Sequence, residues 1–420
     1  MNIRILNDYD SSELDNGNKH GDFDIVLYGA GTAVSSYARM ALAALRHLGV
    51  EPKCFVDDDP KRVGESFLGI PIFKPEYLNF LDKKCIVLVS SNYFPSITNT
   101  LQRLNYQGLL YSLAPLLRSS APEAFESLMS FDEVLRRLHT HHSKLERFSS
   151  AENINKPVVL NAIDIQVTER CSMKCIDCSN LMQYYEQPKD ANTEDFLSNI
   201  ATLMRSVQRI DDARVLGGEP FMYKDLPQIL NFLSHSEKIV RITVYSNGTF
   251  VPREDILNAL IHPKIEVEIT DYDELSKKHD QVVNTFKNLN IRYITHKPQN
   301  WTDSARIVKN NKTANELDTM FERCCVNDAL TLLHDKLYHC PFSANAYNLK
   351  AIPDDPTDYI EFPSIGKNEN IQEKINQFYF GKNHLSACRY CLGRDFTQEA
   401  VVAAVQTKKA IPIPVVWVKN

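Results

Sequence analysis

Cys171-Ser-Met-Lys-Cys175-Ile-Asp-Cys178 packs three thiols into one short loop at a Cys-x3-Cys-x2-Cys spacing. Immediately before it, Ile163-Asp-Ile-Gln-Val167 alternates β-branched and polar residues, the pattern of a strand. Four more strands follow from the same pattern, at 213–217, 239–245, 264–270 and 291–296. Each of the first three ends in polar or glycine residues: Gly217-Gly218-Glu219-Pro220, Ser246-Asn247-Gly248 and Thr270-Asp271-Tyr272. Chemistry gathered at the C-terminal ends of strands is the mark of a parallel α/β barrel. A partial (β/α)6 TIM-like barrel is therefore expected over 158–305, with its sixth strand unplaced.

Cysteine thiolates are the usual ligands of [4Fe–4S] clusters, and three of them leave the fourth iron open to a small molecule. Structural zinc wants four ligands, and no His follows closely, so zinc stands as the alternative only with a ligand from elsewhere in the chain. An odd local count and a polar Met1–Asp22 unlike a secretory segment argue against a disulfide.

The cysteine spacing resembles that of the radical S-adenosylmethionine (radical SAM) enzymes, and Gly217-Gly218-Glu219-Pro220 and Ser246-Asn247 stand where that resemblance expects them. The resemblance implies that Cys171, Cys175 and Cys178 hold a [4Fe–4S] cluster whose open iron is chelated by SAM. It also implies that Gly217, Gly218, Glu219 and Pro220 bind the SAM amino group, and that Ser246 and Asn247 lie beside SAM. Thr270 and Asp271 would meet the SAM ribose or the substrate, or else cap the following helix. Reductive cleavage of SAM would release a 5′-deoxyadenosyl radical that takes a hydrogen atom from substrate, with a flavodoxin- or ferredoxin-type reductant as partner. The loop after the cluster is rich in aromatics, and Asn180, Tyr184 and Tyr185 are expected to line the substrate cavity or to pack against the first barrel helix.

A second set of cysteines comes later. Cys324-Cys325 precedes a strand pair over 330–340 that ends in Cys340, and Cys388-Arg-Tyr-Cys391 follows. This resembles the Twitch form of the SPASM extension, which implies an auxiliary [4Fe–4S] cluster over 306–420, with zinc again the alternative. His334-Asp335-Lys336 stands where that hairpin usually has glycine. One of Cys324 and Cys325 suffices as a ligand, so the other is a candidate hydrogen donor.

Residues 1–22 read as a flexible lead, and 23–116 as a Rossmann-like domain. Asp24-Ile-Val-Leu-Tyr28-Gly29-Ala-Gly31 is a strand and glycine turn, and Lys53–Val56 a second strand ending in Asp57. Val34 stands where a third small residue is expected, so the fingerprint is incomplete. The unit resembles the small domain of sugar acyltransferases from surface-polysaccharide pathways. Gly29, Gly31 and Asp57 would hold a nucleotide or sugar nucleotide there, unless the domain is a scaffold. Residues 117–157 read as a helical linker; its His139, His141 and His142 are solvated or, less simply, a metal site.

Net charge is −6 with no long basic run, which leaves no electrostatic footprint for nucleic acid. No apolar run reaches the length of a membrane span, and a cytoplasmic location is expected. The expected function is hydrogen abstraction from a carbohydrate, a nucleotide-activated sugar of surface-polysaccharide or natural-product biosynthesis, giving oxidation, epimerisation or dehydration. Peptide modification and a non-catalytic iron–sulfur or sugar-nucleotide binding protein are the alternatives.

Overall fold

The computed structural model describes residues 5–6, 24–30, 37–81, 85–91, 94–108, 110–129, 134–135, 137–138, 141, 145, 157–327, 329–362, 370–394 and 399–414. The chain divides into two compact units, Met1–Ser149 and Ser150–Asn420.

The first unit is built on strands β1 (Ile5–Leu6), β2 (Asp24–Tyr28), β3 (Cys54–Val56), β4 (Ser66–Phe67), β5 (Ile70–Phe73), β6 (Cys85–Val89) and β7 (Leu110–Ser112). Their order is β1-β7-β6-β2-β3-β5-β4, parallel except for the β4–β5 hairpin. Among the described residues, helices α1 (Tyr37–His47), α2 (Phe94–Arg103) and α3 (Ala114–Ser119) accompany it. Ile25 and Leu27 pack with α1, while Val26 and Tyr28 pack with Phe94, Ile97 and Leu101 of α2. Both sheet faces are covered, which is why these strands read as nearly continuous apolar runs. Cys54 and Cys85 belong to this core. Residues 5–6, expected within a flexible lead, instead add an edge strand beside β7. Most of the predicted helical linker, with His139 and His142, lies outside the described residues. His141 is fully buried against the rings of Tyr37 and Phe94, an aromatic core position and not a solvated one.

The second unit carries β8 (Val158–Leu160), β9 (Ala162–Thr168), β10 (Val207–Gly217), β11 (Ile239–Ser246), β12 (Ile265–Thr270), β13 (Tyr293–His296), β14 (Asn300–Thr302), β15 (Ala329–Leu333), β16 (Lys336–Tyr338), β17 (Tyr359–Glu361) and β18 (Ala400–Val402). Its helices are α4 (Thr193–Ser206), α5 (Leu226–Ser234), α6 (Glu254–Leu260), α7 (His279–Asn288), α8 (Ala314–Glu322), α9 (Pro341–Asn348) and α10 (Ile371–Phe380). Strands β9 to β13 run parallel in sequence order, each joined to the next by one of α4 to α7, as a partial barrel requires. Asn192 caps α4 by accepting from Asp195 N at 3.1 Å.

The unplaced sixth parallel strand is β15. It lies beside β9, the first strand, and not beside β13. It then turns into the antiparallel β16 and β17, so one sheet runs from β13 to β17 across the expected division at 305. Its sequence alone reads as part of a separate hairpin, because local pattern does not say which edge a strand joins.

One sheet face is apolar. Ile163, Ile165, Val215, Val244, Val267 and Leu332 pack with Phe196, Leu230, Ile256 and Phe286 from the helices. Alternate positions on the other face include the polar residues Asp164, Gln166, Arg214, Tyr245, Glu268 and Thr331. Side chains alternate across a strand, so one pattern makes both faces. Among the described residues no helix is long and apolar enough to cross a membrane.

Candidate functional site

The ends of β9, β10 and β11 converge on the first cysteine loop. Gly217 and Gly218 are dictated by that convergence. A Cβ on Gly217 would lie 2.3 Å from Thr168 O, and one on Gly218 would lie 2.3 Å from Arg170 O and 2.6 Å from the Cys171 Cβ. The close approach is thus made to the end of β9 and the start of the cysteine loop. Gly218 N and Glu219 N donate to Thr168 O and Arg170 O at 3.0 and 2.8 Å, locking the two strand ends together.

Glu219 is fully buried and its carboxylate faces the end of β11. It accepts from Asn247 N at 2.8 Å, Ser246 Oγ at 3.2 Å and Phe221 N at 3.2 Å. Burial raises its pKa to about 7, against those three donors, which lower it. Pro220 opens the short helical turn that follows. Asn247 Nδ2 reaches Ser172 Oγ at 3.1 Å and Cys171 Sγ at 3.5 Å, so Asn247 joins the cysteine loop to the end of β11. Thr270 pairs with His296 at 3.3 Å, and Asp271 Oδ1 accepts from Asp273 N at 2.9 Å, closing a local turn. Tyr272, next along, packs with the cysteine loop and stands edge-on to Trp301.

Each loop sulfur has an N–H aimed at it. Met173 N lies 3.4 Å from Cys171 Sγ, Gln406 Nε2 lies 3.0 Å from Cys175 Sγ, and backbone N–H groups of Met182 and Asn180 face Cys178. Burial raises all three thiol pKa values, that of Cys175 to about 12. Three thiols ringed by N–H donors, with glycines admitting the backbone, fit a cluster bound through three cysteines.

Tyr184 and Tyr185 are both buried. Tyr185 Oη donates to Asn345 Oδ1 and accepts from Asn348 Nδ2, each at 2.8 Å. Asn345 pairs twice with Gln166 at 3.0 Å, and Asn348 and His334 both reach Glu169 Oε1 at 2.7 Å. This buried network ties β9 to α9 and to the β15–β16 turn. His334 has φ +53° there, the left-handed conformation that the missing glycine would supply freely, and its Glu169 contact holds it. Tyr184 packs among Cys388, Cys391 and Phe342.

The second set converges as well. Cys324, Cys340, Cys388 and Cys391 line one pocket with Met320, Phe342 and Leu385. Cys325 is exposed and does not line it. Burial first, and neighbouring thiols second, raise Cys324, Cys388 and Cys391, the last to about 11. Four thiols on one apolar pocket fit a cluster with every iron liganded. Among the described residues no group of three or more Cys, His, Asp or Glu is set at the spacing of a lone metal ion.

In the first unit, Gly29 has φ +100° and approaches Ser91 so closely that a Cβ would lie 2.8 Å from it. Asp57 accepts from Ala30 N at 2.8 Å and from Asp59 N at 2.9 Å, so both its oxygens brace the turn. Gly31 lies outside the described residues.

Sequence reasoning missed the polar sheet face. Asp164 pairs with Arg214 at 3.0 Å, Tyr245 stands beside Glu268 in register, and His296 lies 3.4 Å from Glu268. The signal was present in the polar alternates of Ile163–Val167 and Ile265–Thr270. Gln406 had no local signal at all.

Residues 165–322 match the family described as the radical SAM superfamily. Among curated proteins, the GTP 3′,8-cyclase of Campylobacter jejuni subsp. doylei is 30% identical over 105 residues, covering 24% of this chain and 32% of that protein. The Fe-coproporphyrin III synthase of Methanosarcina barkeri is 35% identical over 103 residues, covering 24% of this chain and 23% of its own length. The match thus spans a third or less of these relatives. Among solved structures, BtrN in complex with AdoMet and 2-DOIA aligns at a TM-score of 0.35 and 15% identity, over 60% of this chain and 96% of BtrN. The anSMEcpe structure with bound AdoMet aligns at a TM-score of 0.34 and 12% identity, over 61% of this chain and 93% of that one.

Proposed function

From a chain whose residues 165–322 form a radical SAM domain, we propose an enzyme that removes hydrogen from a carbon of a nucleotide-linked sugar and oxidises an alcohol there to a ketone. The carrying observation is that the cysteine loop, the Gly217–Glu219 turn and Asn247 meet at one end of a sheet whose second face carries Asp164, Arg214, Tyr245 and Glu268. When bound, the loop cluster with SAM supplies a radical able to take a hydrogen atom, and a cluster on the second cysteine set supplies a one-electron acceptor.

The protein's own residues would do the rest. Cys171, Cys175 and Cys178 would hold the first cluster, and Cys324, Cys340, Cys388 and Cys391 the second. Glu219 fixes the end of β11 and so orients Asn247 and Ser172 on the SAM side. Asp164, Arg214, Tyr245 and Glu268 offer the carboxylates, hydroxyl and guanidinium that orient sugar hydroxyls, with Thr270 and Asp271 at the rim. An alcohol becomes a ketone by losing one hydrogen as an atom, one as a proton, and one electron, and Cys324, Cys340, Cys388 and Cys391 would hold the group able to accept that electron.

Support for the substrate class comes from two directions. The first unit resembles sugar-nucleotide domains, although Asp57 is committed to its own turn. The matched cyclases are named for GTP, a ribose-bearing nucleotide. The four-cysteine pocket favours oxidation over epimerisation, because Cys325, the spare thiol, is exposed.

The test is anaerobic reconstitution, reduction, and addition of SAM with a panel of nucleotide sugars in deuterated water. Equal yields of 5′-deoxyadenosine and a product lighter by one pair of hydrogens are expected. An isomeric product carrying deuterium would replace oxidation with epimerisation. No stimulation by any sugar nucleotide would remove the substrate class, and an unchanged yield from Cys171→Ala would remove radical SAM chemistry.

A further inference from the structure

Gln406 stands far along the chain from Cys175, yet the two form an antiparallel bridge. Ile176 N donates to Val405 O at 2.8 Å, and Thr407 N donates to Lys174 O at 2.7 Å. The segment after β18 is thus laid across the cysteine loop like an added strand. Ala404 packs with Met173 and Cys175 beneath it.

Chemistry fixes the direction of the Gln406 amide. Lys174 N can only donate, and it meets Oε1 at 2.7 Å. Ala404 O can only accept, and it meets Nε2 at 2.8 Å. The remaining Nε2 hydrogen faces Cys175 Sγ at 3.0 Å. Rotating the amide would set donor against donor and acceptor against acceptor. The contact is shorter than either N–H contact to Cys171, at 3.4 and 3.5 Å.

A hydrogen bond to a cluster thiolate withdraws charge from it and favours the reduced state; such bonds and solvent access tune iron–sulfur potentials. We infer that Gln406 is a positioning residue for the loop cluster, setting its reduction potential through Cys175 while its Oε1 and its backbone segment hold the loop. This rests on the reading that Cys171, Cys175 and Cys178 carry a [4Fe–4S] cluster. It makes the last described segment of the chain a part of the redox centre, although nothing in the motif points there.

The full chain, reconstituted anaerobically, is titrated with mediators and followed by electron paramagnetic resonance. SAM identifies the loop cluster, because only a cluster with an open iron changes its signal on binding it. Gln406→Leu should lower the midpoint of that signal, cutting the ratio of reduced to oxidised cluster at the wild-type midpoint about tenfold, or 59 mV for one electron. Gln406→Glu should move it further the same way. Gln406→Lys, which keeps donors and adds positive charge, should move it oppositely. A purely structural role would shift the Glu and Lys variants alike, and that result would overturn the inference. So would an unchanged midpoint in the Leu and Lys variants, or failure of both to assemble the SAM-responsive cluster. A wild-type chain with no SAM-responsive signal would instead remove the loop-cluster reading on which the inference stands.

Discussion

The two cysteine sites are built in opposite ways. At 171–178 the spacing is local: three thiols sit within one loop, and distant residues come to brace it through Gly218, Asn247 and Gln406. At the second site the thiols themselves are distant, and only α8, α9 and the turn at 386–390 bring Cys324, Cys340, Cys388 and Cys391 to one apolar pocket. The first site is a motif that the fold aims. The second is a place that the fold creates. Loss of local packing should therefore strike the second site's existence, but the first site's geometry.

The largest effect that sharpens this contrast is Cys171→Ala. It should abolish SAM-dependent 5′-deoxyadenosine and remove roughly half the bound iron while the second site keeps its share. Loss of all iron would show that the sites are not independent. Phe342→Ala should act in reverse. The ring is buried in the second pocket's wall, and truncation costs about 3–5 kcal/mol in such settings. Iron analysis and denaturant melts should show the second cluster lost and the SAM-responsive signal retained.

Gly218→Ala comes next. The added methyl has no room beside Arg170 O and Cys171 Cβ, and overpacking of this kind costs about 1–3 kcal/mol. A displaced loop with an intact second cluster is expected, read as a weakened SAM response. Glu219 gives a pH signature. Its folded pKa is raised from the usual carboxylate range to about 7, so the folded state holds the proton more tightly. Below the unfolded pKa both states are protonated; as pH rises towards 7 the metal-free protein should lose stability, and Glu219→Gln should flatten that decline in thermal melts. The smallest effect is Cys325→Ser. That side chain is exposed and outside the pocket, so stability should stay within about 0.5 kcal/mol and iron content should not change. A lost cluster in that variant would exchange the roles of Cys324 and Cys325.

The contrast also explains what could be read in advance. The strands, the cysteine loop and the glycine pair are local patterns, and period-two alternation announces them. The choice of Cys324 over Cys325 is not local: adjacent side chains point apart, and only the pocket says which one faces inward. Asp57 was legible as the acid ending β3, but its commitment to Ala30 N depends on how the glycine turn closes. The polar sheet face was half-legible, since the alternates were visible while their shared orientation needed the sheet. The placement of β15 was beyond reach, because edge pairing between remote segments leaves no periodicity behind.

That last pairing has a consequence for the order of events during synthesis. β9 feeds the cysteine loop, and one of its edges stays bare until Ala329–Leu333 has left the ribosome. A strand with one apolar face and an open edge invites wrong partners, and long-range parallel pairing is slow to correct them. Translation thus delivers the motif well before the hairpin that covers it. The brace at Gln406 comes later still, so a ribosome paused before Ala329–Leu333 would hold out a cysteine loop that is not yet fully braced, on a strand whose edge is open to aggregation.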